Sequence, residues 1–139
     1  MDNNKIINNA IEGCKIAIYT TGKIAPKIKS QETLKILENE IKINNEYINK
    51  LREIINENSD IELNKMISIM IDNKINLRER LDDSESGYIK ILIEGCDLGI
   101  NKLHDYKSQL DNFCEAGKIL FENIIKNEEI YKSKLLKCI

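Results

Sequence analysis

The sequence predicts an all-α protein: a four-helix bundle made of two pseudo-symmetric helical hairpins, with an extra helix as crossover, five helices in all. Three observations lead to this fold class. Apolar residues recur at helical spacing along almost the whole chain, a single proline interrupts them, and a hairpin-sized unit occurs twice. A chain of 139 residues has the size of one domain, so residues 1–139 are expected to form a single helical-bundle domain.

The duplication is visible in two Ile-Glu-Gly-Cys segments. Residues 11–14 are repeated at 93–96, which is 82 positions later. A second match follows in each half at an offset of 83, and it pairs Lys35, Ile36, Leu37, Ile41, Asn44 and Glu46 with Lys118, Ile119, Leu120, Ile124, Asn127 and Glu129. The repeated hairpins are predicted at about 3–57 and 88–138, with a linking helix at about 60–81.

The first helix is predicted at about 3–21, because Gly22 suits a helix C-terminus and Pro26 cannot continue a helix interior. The second helix, at about 31–57, follows Ser30 as its N-cap. Its seam alternates steps of three and four, as in a heptad pattern, with one polar residue in the middle. The seam consists of Leu34, Leu37, Ile41, Asn44, Ile48, Leu51 and Ile55.

The third helix is predicted near 60–81, opened by a capping-box pattern at Ser59 and Glu62. A stripe of this helix is expected to face the core, and it consists of Leu63, Met66, Met70, Leu77 and Leu81, widened by Ile67 and Ile71. At about 22 residues the helix is roughly 33 Å long, which suits a crossover that spans the bundle. The alternative is a five-helix up-and-down bundle.

The fourth and fifth helices repeat the first pair. The fourth is predicted at about 88–109, with Ile89, Ile93, Cys96, Ile100 and Leu103 facing inward. The fifth, at about 113–137, follows a possible cap pair at Asn112 and Glu115. Its inward face consists of Leu120, Ile124, Asn127, Tyr131 and Leu135.

The composition excludes several function classes. The 21 basic and 23 acidic residues are interspersed and give a net charge of −2, so no nucleic-acid partner is expected. No apolar run of about 18 residues predicts a membrane span, and the polar start predicts a cytoplasmic protein with reduced thiols. None of the four cysteines lies in a C-x-x-C pair, and Cys14 and Cys96 are predicted to be buried as small apolar side chains.

Two helical hairpins joined by a spanning crossover resemble the ferritin-like superfamily. The segment 92–101 is similar to the first-helix pattern of small bacterial proteins in that group, and 117–122 is similar to their second helix. The resemblance implies that iron-binding relatives would hold a di-iron centre, with a carboxylate from each of two helices and a Glu-x-x-His from each of the other two. The chain departs from this pattern, because its one histidine, His104, does not lie three residues after a glutamate.

The remaining carboxylates are not expected to point into the bundle, where a metal would bind. Glu12 and Glu94 lie at the flanks of their stripes, and Glu46 and Glu129 point outward. No metal ligand, cofactor or catalytic residue is therefore assigned, although oxygen-only ligation of Mg, Mn or Ca stays open.

The polar residues predicted to face inward are Asn44 and Asn127, which are equivalents in the repeat. A buried Asn pair fixes register through side-chain hydrogen bonds. The alternatives are a small polar pocket for a ligand and ordinary exposure at a helix kink. Three further features are assigned to structure: His104 to the surface, Met66 with Met70 to the core, and Gly13 with Gly95 to close helix contacts.

These features predict a non-enzymatic helical-bundle protein that acts by self-association, with a dimer favoured, or by binding a protein partner. The alternative function is a ferritin-like metal-binding or redox protein with an atypical carboxylate site. An immunity or stress-response protein that neutralises a partner fits the same fold class, and no residue supports it specifically.

Overall fold

The computed structural model describes residues 2–56, 62–112 and 114–139. Within these ranges the protein is all-α, as predicted, with five helices and no strand. The helices are α1 (Asn3–Ile24), α2 (Gln31–Ile55), α3 (Lys65–Leu81), α4 (Glu85–Gln109) and α5 (Glu115–Leu136). None of the helices in these ranges is long and apolar enough to cross a membrane.

The end of α1 differs from the prediction. The helix continues through Gly22 to Ile24, and Pro26 lies in a 3₁₀ turn at Ala25–Lys27. Ile24 is fully buried, and burying such a side chain contributes about 1.5–3 kcal/mol, which exceeds the roughly 1 kcal/mol cost of a helical glycine. The proline is tolerated because the first residues of a helical turn need no hydrogen-bonded N–H.

Side-chain caps set the starts of α2 and α4. Ser30 is the N-cap of α2, as predicted, and its Oγ accepts a hydrogen bond from the Thr33 N–H at 3.3 Å. Ser84 caps α4 in the same way, accepting from the Gly87 N–H at 3.2 Å. Because of this cap, α4 begins at Glu85, three residues before the predicted start.

The ends of the connection between α2 and α3 also differ from the prediction. α2 stops at Ile55, where Asn56 adopts a left-handed conformation with φ 50°. α3 starts at Lys65, after Asn64 accepts a hydrogen bond from the Met66 N–H at 2.9 Å. The predicted capping box begins at Ser59, which lies outside the described residues.

α5 starts at Glu115, two residues later than predicted. Cys114 occupies the N-cap position without a side-chain cap hydrogen bond, so the predicted cap at Asn112 is wrong. The first turn of α5 is packed tightly instead. A Cβ atom at Gly117 would lie 2.8 Å from Cys114 Sγ and 3.0 Å from Leu110 Cδ1, so the glycine permits this close approach.

Four of the helices surround the core. α1 packs along α2, α4 packs along α5, and the two hairpins meet through α1 against α4 and α2 against α5. Ion pairs from Lys107 to Glu122 and from Lys132 to Asp97 tie α4 to α5 and show that these helices are antiparallel. Asn3 Oδ1 accepts from the Asp111 N–H at 3.2 Å, which places the start of α1 beside the end of α4.

The apolar core is divided into two clusters. One contains Ile24, Leu37, Tyr88, Leu92 and Leu135 among others, and the second contains Ile7, Tyr47, Leu51, Phe121 and Ile124 among others. Along α2 the buried residues change from the first cluster to the second between Leu37 and Tyr47. The residues buried between these two are Glu40 and Asn44, so a polar layer separates the clusters.

The duplication is visible in the positions that are buried. On α1, buried Ile6, Ile7, Ala10 and Cys14 correspond at an offset of 82 to buried Tyr88, Ile89, Leu92 and Cys96 on α4. On α2, buried Leu37, Tyr47 and Leu51 correspond to buried Phe121, Tyr131 and Leu135 on α5, at an offset of 84. The sequence match at 83 is therefore one residue out of register with the buried faces of α2 and α5.

α3 turns most of its predicted stripe away from the other helices. Met66 is 73% and Met70 is 68% exposed, and Leu77 and Leu81 are exposed as well, so the prediction that the stripe faces the core is wrong for these four residues. Ile71, which widens the predicted stripe, does pack against the core. The helix contacts α1 and α4 through its opposite side, where Ile75 is buried. Polar contacts reinforce this packing: the Tyr19 hydroxyl donates to Asp72 at 2.7 Å, and Lys27 pairs with Glu79 at 3.0 Å.

Candidate functional site

The polar layer in the middle of the core is built by α2 and α5. Glu40 and Asn44 lie four residues apart on α2, so they share one helix face, and they are 4% and 3% exposed. Glu128 reaches the same level from α5 and is half-buried. Asn44 Nδ2 donates to the Glu40 main-chain carbonyl at 2.9 Å, which uses one of its donors within α2.

The carboxyl groups of Glu40 and Glu128 lie close enough for each to act on the pKa of the other. Burial raises the pKa of Glu128 to about 10, assisted by the Glu40 carboxyl and its charge. Burial also raises the pKa of Glu40, whereas Glu128, Asn44 and the charge of Lys134 act in the opposite direction. Burial of both carboxyls therefore favours a proton retained by the pair at neutral pH.

The pair is incompletely satisfied. The Oε2 atom of each carboxyl is buried and has no hydrogen-bond partner. A buried polar atom without a partner costs about 1–3 kcal/mol, so two such oxygens at the centre of one layer need a physical account.

Two thiols approach the pair from the other helices. Cys14 on α1 and Cys96 on α4 are buried, as predicted, and Cys96 Sγ donates to the Glu128 main-chain carbonyl at 3.4 Å. Burial, together with the charges of Glu128 and Glu40, raises the pKa of Cys14 to about 12. The same causes raise the pKa of Cys96. Both thiols are therefore protonated at neutral pH and are poor nucleophiles.

Two tyrosines complete the layer at repeat-related positions. Tyr47 and Tyr131 are buried, burial raises the pKa of each phenol, and neither hydroxyl has a hydrogen-bond partner. Thr21 lies beside the Tyr131 hydroxyl and Asn127 beside the Tyr47 hydroxyl, outside hydrogen-bonding geometry in both cases. The phenols thus add neutral donors that are not yet used.

A groove leads to this layer from between α1 and α4. It encloses about 180 Å³, and Glu40, Asn44 and Glu128 lie among the residues that line it. Its walls are mainly apolar and include Ile16, Ala17, Ile91, Leu92 and Leu103. A second cavity, of about 410 Å³, lies between α2 and α5 and reaches Glu40, Tyr47 and Tyr131 from the other side.

The repeated glycines line the groove rather than a close helix contact. A Cβ atom at Gly13, Gly95 or Gly99 would have no neighbouring atom within 4 Å, so the prediction that Gly13 and Gly95 mark close helix approach is wrong. The absence of side chains at these positions keeps the space above the carboxyl pair open. Each glycine costs about 1 kcal/mol of helix propensity relative to alanine.

The prediction that two repeat-related asparagines both face inward holds for one of them. Asn44 is buried, but Asn127 is exposed, so the prediction for Asn127 is wrong. The reason is the register of the buried faces: with an offset of 84, the counterpart of Asn44 is Glu128. Sequence reasoning missed Glu40 and Glu128, although Glu40 lies three residues after Leu37 and seven before Tyr47, on the face that the seam defines.

The other candidates lie on the surface. Glu12, Glu94, Glu46 and Glu129 are exposed, and Glu94 accepts from Lys74 Nζ at 2.9 Å. His104 is exposed on α4, in agreement with its surface assignment. Within the described ranges, no group of three or more His, Cys, Asp or Glu side chains is placed to hold a metal ion.

The raised pKa of Glu128 predicts that stability depends on pH. Because the folded pKa of about 10 lies above the unfolded value of roughly 4.3, the folded protein binds more protons between these values, and its free energy of unfolding falls as pH rises through this window. Glu128→Gln should weaken this dependence and stabilise the protein at pH 8 by more than about 1.4 kcal/mol, the equivalent of one pKa unit. Thermal unfolding followed by circular dichroism between pH 5 and 9 measures both effects. Glu129→Gln, at the exposed neighbouring position, is the control, and equal pH profiles for the two variants would contradict the assignment.

Comparison of the chain with family models, curated proteins and solved structures finds no match. The case for a site therefore rests on its own geometry: a buried, incompletely satisfied carboxyl pair at the floor of an apolar groove.

Proposed function

We propose that this protein is a non-enzymatic binding protein that holds a small, mostly apolar molecule in the groove between α1 and α4. One observation carries the proposal: the buried Oε2 atoms of Glu40 and Glu128 lack hydrogen-bond partners, and both side chains line the groove. A ligand with a hydrogen-bond donor would satisfy them and would cover the apolar walls at the same time.

The size of the groove supports a small ligand. Its volume of about 180 Å³ is somewhat larger than the ~150 Å³ engineered cavity that binds benzene. The chemistry of the layer favours binding over catalysis, because the thiols of Cys14 and Cys96 are held in the protonated form. A nucleophile would need the thiolate.

The Glu40–Glu128 pair is also the nearest equivalent of the carboxylate site that the metal-binding alternative requires. Glu40 and Glu128 point toward each other, whereas Glu46 and Glu129 are exposed. A ferritin-like metal centre needs additional ligands from the other helices. In the described part of the chain, the residues that face the pair from α1 and α4 are Cys14 and Cys96, and the raised pKa values of their thiols disfavour the thiolate form that would bind a metal. An organic ligand fits this environment better than a cation that requires several oxygen or nitrogen ligands.

We also propose a four-helix bundle of the ferritin-like kind as the scaffold, with α3 as the crossover. Two observations support this arrangement. Each of α1, α2, α4 and α5 packs on two of the others, and the buried positions repeat between the hairpins. α3 contributes a single buried residue, Ile75, which agrees with a helix at the periphery of the bundle.

Ligand binding in the groove can be tested by filling it. Gly13→Phe should place a ring in the open space above the carboxyl pair and reduce the affinity for small apolar probes at least tenfold. Gly22→Phe is the matched control, because Gly22 also lies on α1 with no atom within 4 Å of a Cβ, but outside the groove. Ligand-observed NMR with 2-phenylethanol and 1-hexanol as probes measures the loss. Equal binding by both variants, or no binding to the natural protein at millimolar concentrations, would contradict the proposal.

Self-association through α3 is a second candidate function. Its exposed face contains Met66, Met70, Leu77 and Leu81, four large apolar side chains in one stripe. The Met66–Leu81 pair and the Met70–Leu77 pair share one midpoint along the helix, between Asn73 and Lys74. A two-fold axis at that point would therefore pack the stripe against the same stripe of a second copy in antiparallel orientation, which makes the face self-complementary.

The dimer can be tested by placing a charge in the stripe. Met70→Glu should raise the dimer dissociation constant at least tenfold, because a carboxylate would have to be buried between the two stripes. Leu98→Glu is the control, since Leu98 is similarly exposed but lies on α4. Light scattering during size-exclusion chromatography would report the 16.1 kDa chain or twice its mass. A monomeric natural protein at high micromolar concentration would exclude this candidate.

A further inference from the structure

Three buried oxygens without hydrogen-bond partners belong to side chains at the groove between α1 and α4, and two of these side chains, Glu40 and Tyr131, also line the cavity between α2 and α5. The oxygens are Oε2 of Glu40, Oε2 of Glu128 and the hydroxyl of Tyr131. Glu40 and Tyr131 are more than nine-tenths buried. The remaining buried oxygen of this kind in the described ranges, the Tyr47 hydroxyl, belongs to the cavity between α2 and α5.

Among the described residues, no cationic side chain is placed on these oxygens from the groove side. Asn44 donates to the Glu40 main chain, and the Cys96 thiol donates to the Glu128 main chain. Lys134, whose charge acts on Glu40, lines the opposite cavity. Lys102 lines the groove, but its side chain is exposed, as is that of Glu12.

We infer that the groove binds a primary amine carried on a small apolar body, such as an arylalkylamine, with its ammonium group among Glu40, Glu128 and Tyr131. This inference rests on the proposed function and names its ligand class. An ammonium has three donors and no acceptor, which matches three acceptor oxygens without partners. The apolar walls would cover the rest of the molecule.

Charge balance favours this ligand over a neutral one. Without ligand, the two carboxyls hold a proton between them. When the ammonium enters, that proton leaves to solvent, and both carboxylates then face one positive charge. The net charge of the buried site is unchanged by this exchange, so the ammonium avoids the penalty of adding a charge to the interior.

The exchange predicts that binding releases about one proton and strengthens as pH rises from 6 to 8. The thiols and phenols that face the pair have raised pKa values, so they stay protonated between pH 6 and 8. They are Cys14 on α1, Tyr47 on α2, Cys96 on α4 and Tyr131 on α5. Lys134 faces Glu40 from α5, and its positive charge acts on that carboxyl. The proton therefore comes from the carboxyl pair.

Isothermal titration calorimetry with 2-phenylethylamine and its neutral analogue 2-phenylethanol tests the inference. The amine should bind the natural protein at least tenfold more tightly than the alcohol. Glu128→Gln and Glu40→Gln should each weaken amine binding at least tenfold and leave alcohol binding within about twofold. Titrations in two buffers of different ionisation enthalpy should show release of about one proton with the amine and none with the alcohol. Glu129→Gln is the control variant.

The outcomes separate this inference from the proposed function. Equal affinities for amine and alcohol, with both blocked by Gly13→Phe, would overturn the amine assignment and leave the groove as a binding site. Amine binding that persists in both glutamine variants would also overturn it. Failure of both probes to bind at millimolar concentration would overturn the inference together with the proposed function.

Discussion

Two carboxyl groups buried midway along an apolar core are the constraint on which the rest of this structure depends. Without a cation bound beside them, ionisation of both Glu40 and Glu128 is unfavourable at this depth, because desolvation and mutual repulsion disfavour the second charge. A retained proton resolves the conflict. The low-polarity surroundings then extend the same effect to their neighbours, so that the thiols of Cys14 and Cys96 and the phenol of Tyr131 also stay neutral.

The layer also determines what the molecule can do. It divides the core into two apolar clusters, and it leaves acceptor oxygens where a groove reaches the interior. Gly13 and Gly95 keep the groove open, at a cost of about 1 kcal/mol each in helix propensity. A fold selected for stability alone would favour alanine at both positions. The open space and the unsatisfied carboxyls are two independent departures from ideal packing, and a single bound ligand accounts for both.

Much of the fold could be predicted from the sequence, because helical periodicity and duplication are local patterns. The all-α class, the cap at Ser30 and the burial of Cys14 and Cys96 followed from such patterns. The direction in which an amphipathic helix face points could not be predicted from such patterns. Periodicity showed that α3 is amphipathic, but its single buried contact, through Ile75, is on the side opposite Met66 and Met70. The site was missed because matching residues at an offset of 83 paired Asn44 with Asn127, whereas the buried faces correspond at 84 and pair Asn44 with Glu128.

The protonation state of Glu128 tests this account most directly. In protein labelled with ¹³C at the glutamate side-chain carboxyls, NMR spectra recorded from pH 4 to 9 report each carboxyl separately. The account predicts one resonance that keeps the chemical shift of a protonated carboxyl through pH 8 and that is missing from Glu128→Gln. If every glutamate carboxyl instead titrates near the ordinary value of about 4.3, the carboxyl pair does not retain a proton, and the central claim is contradicted.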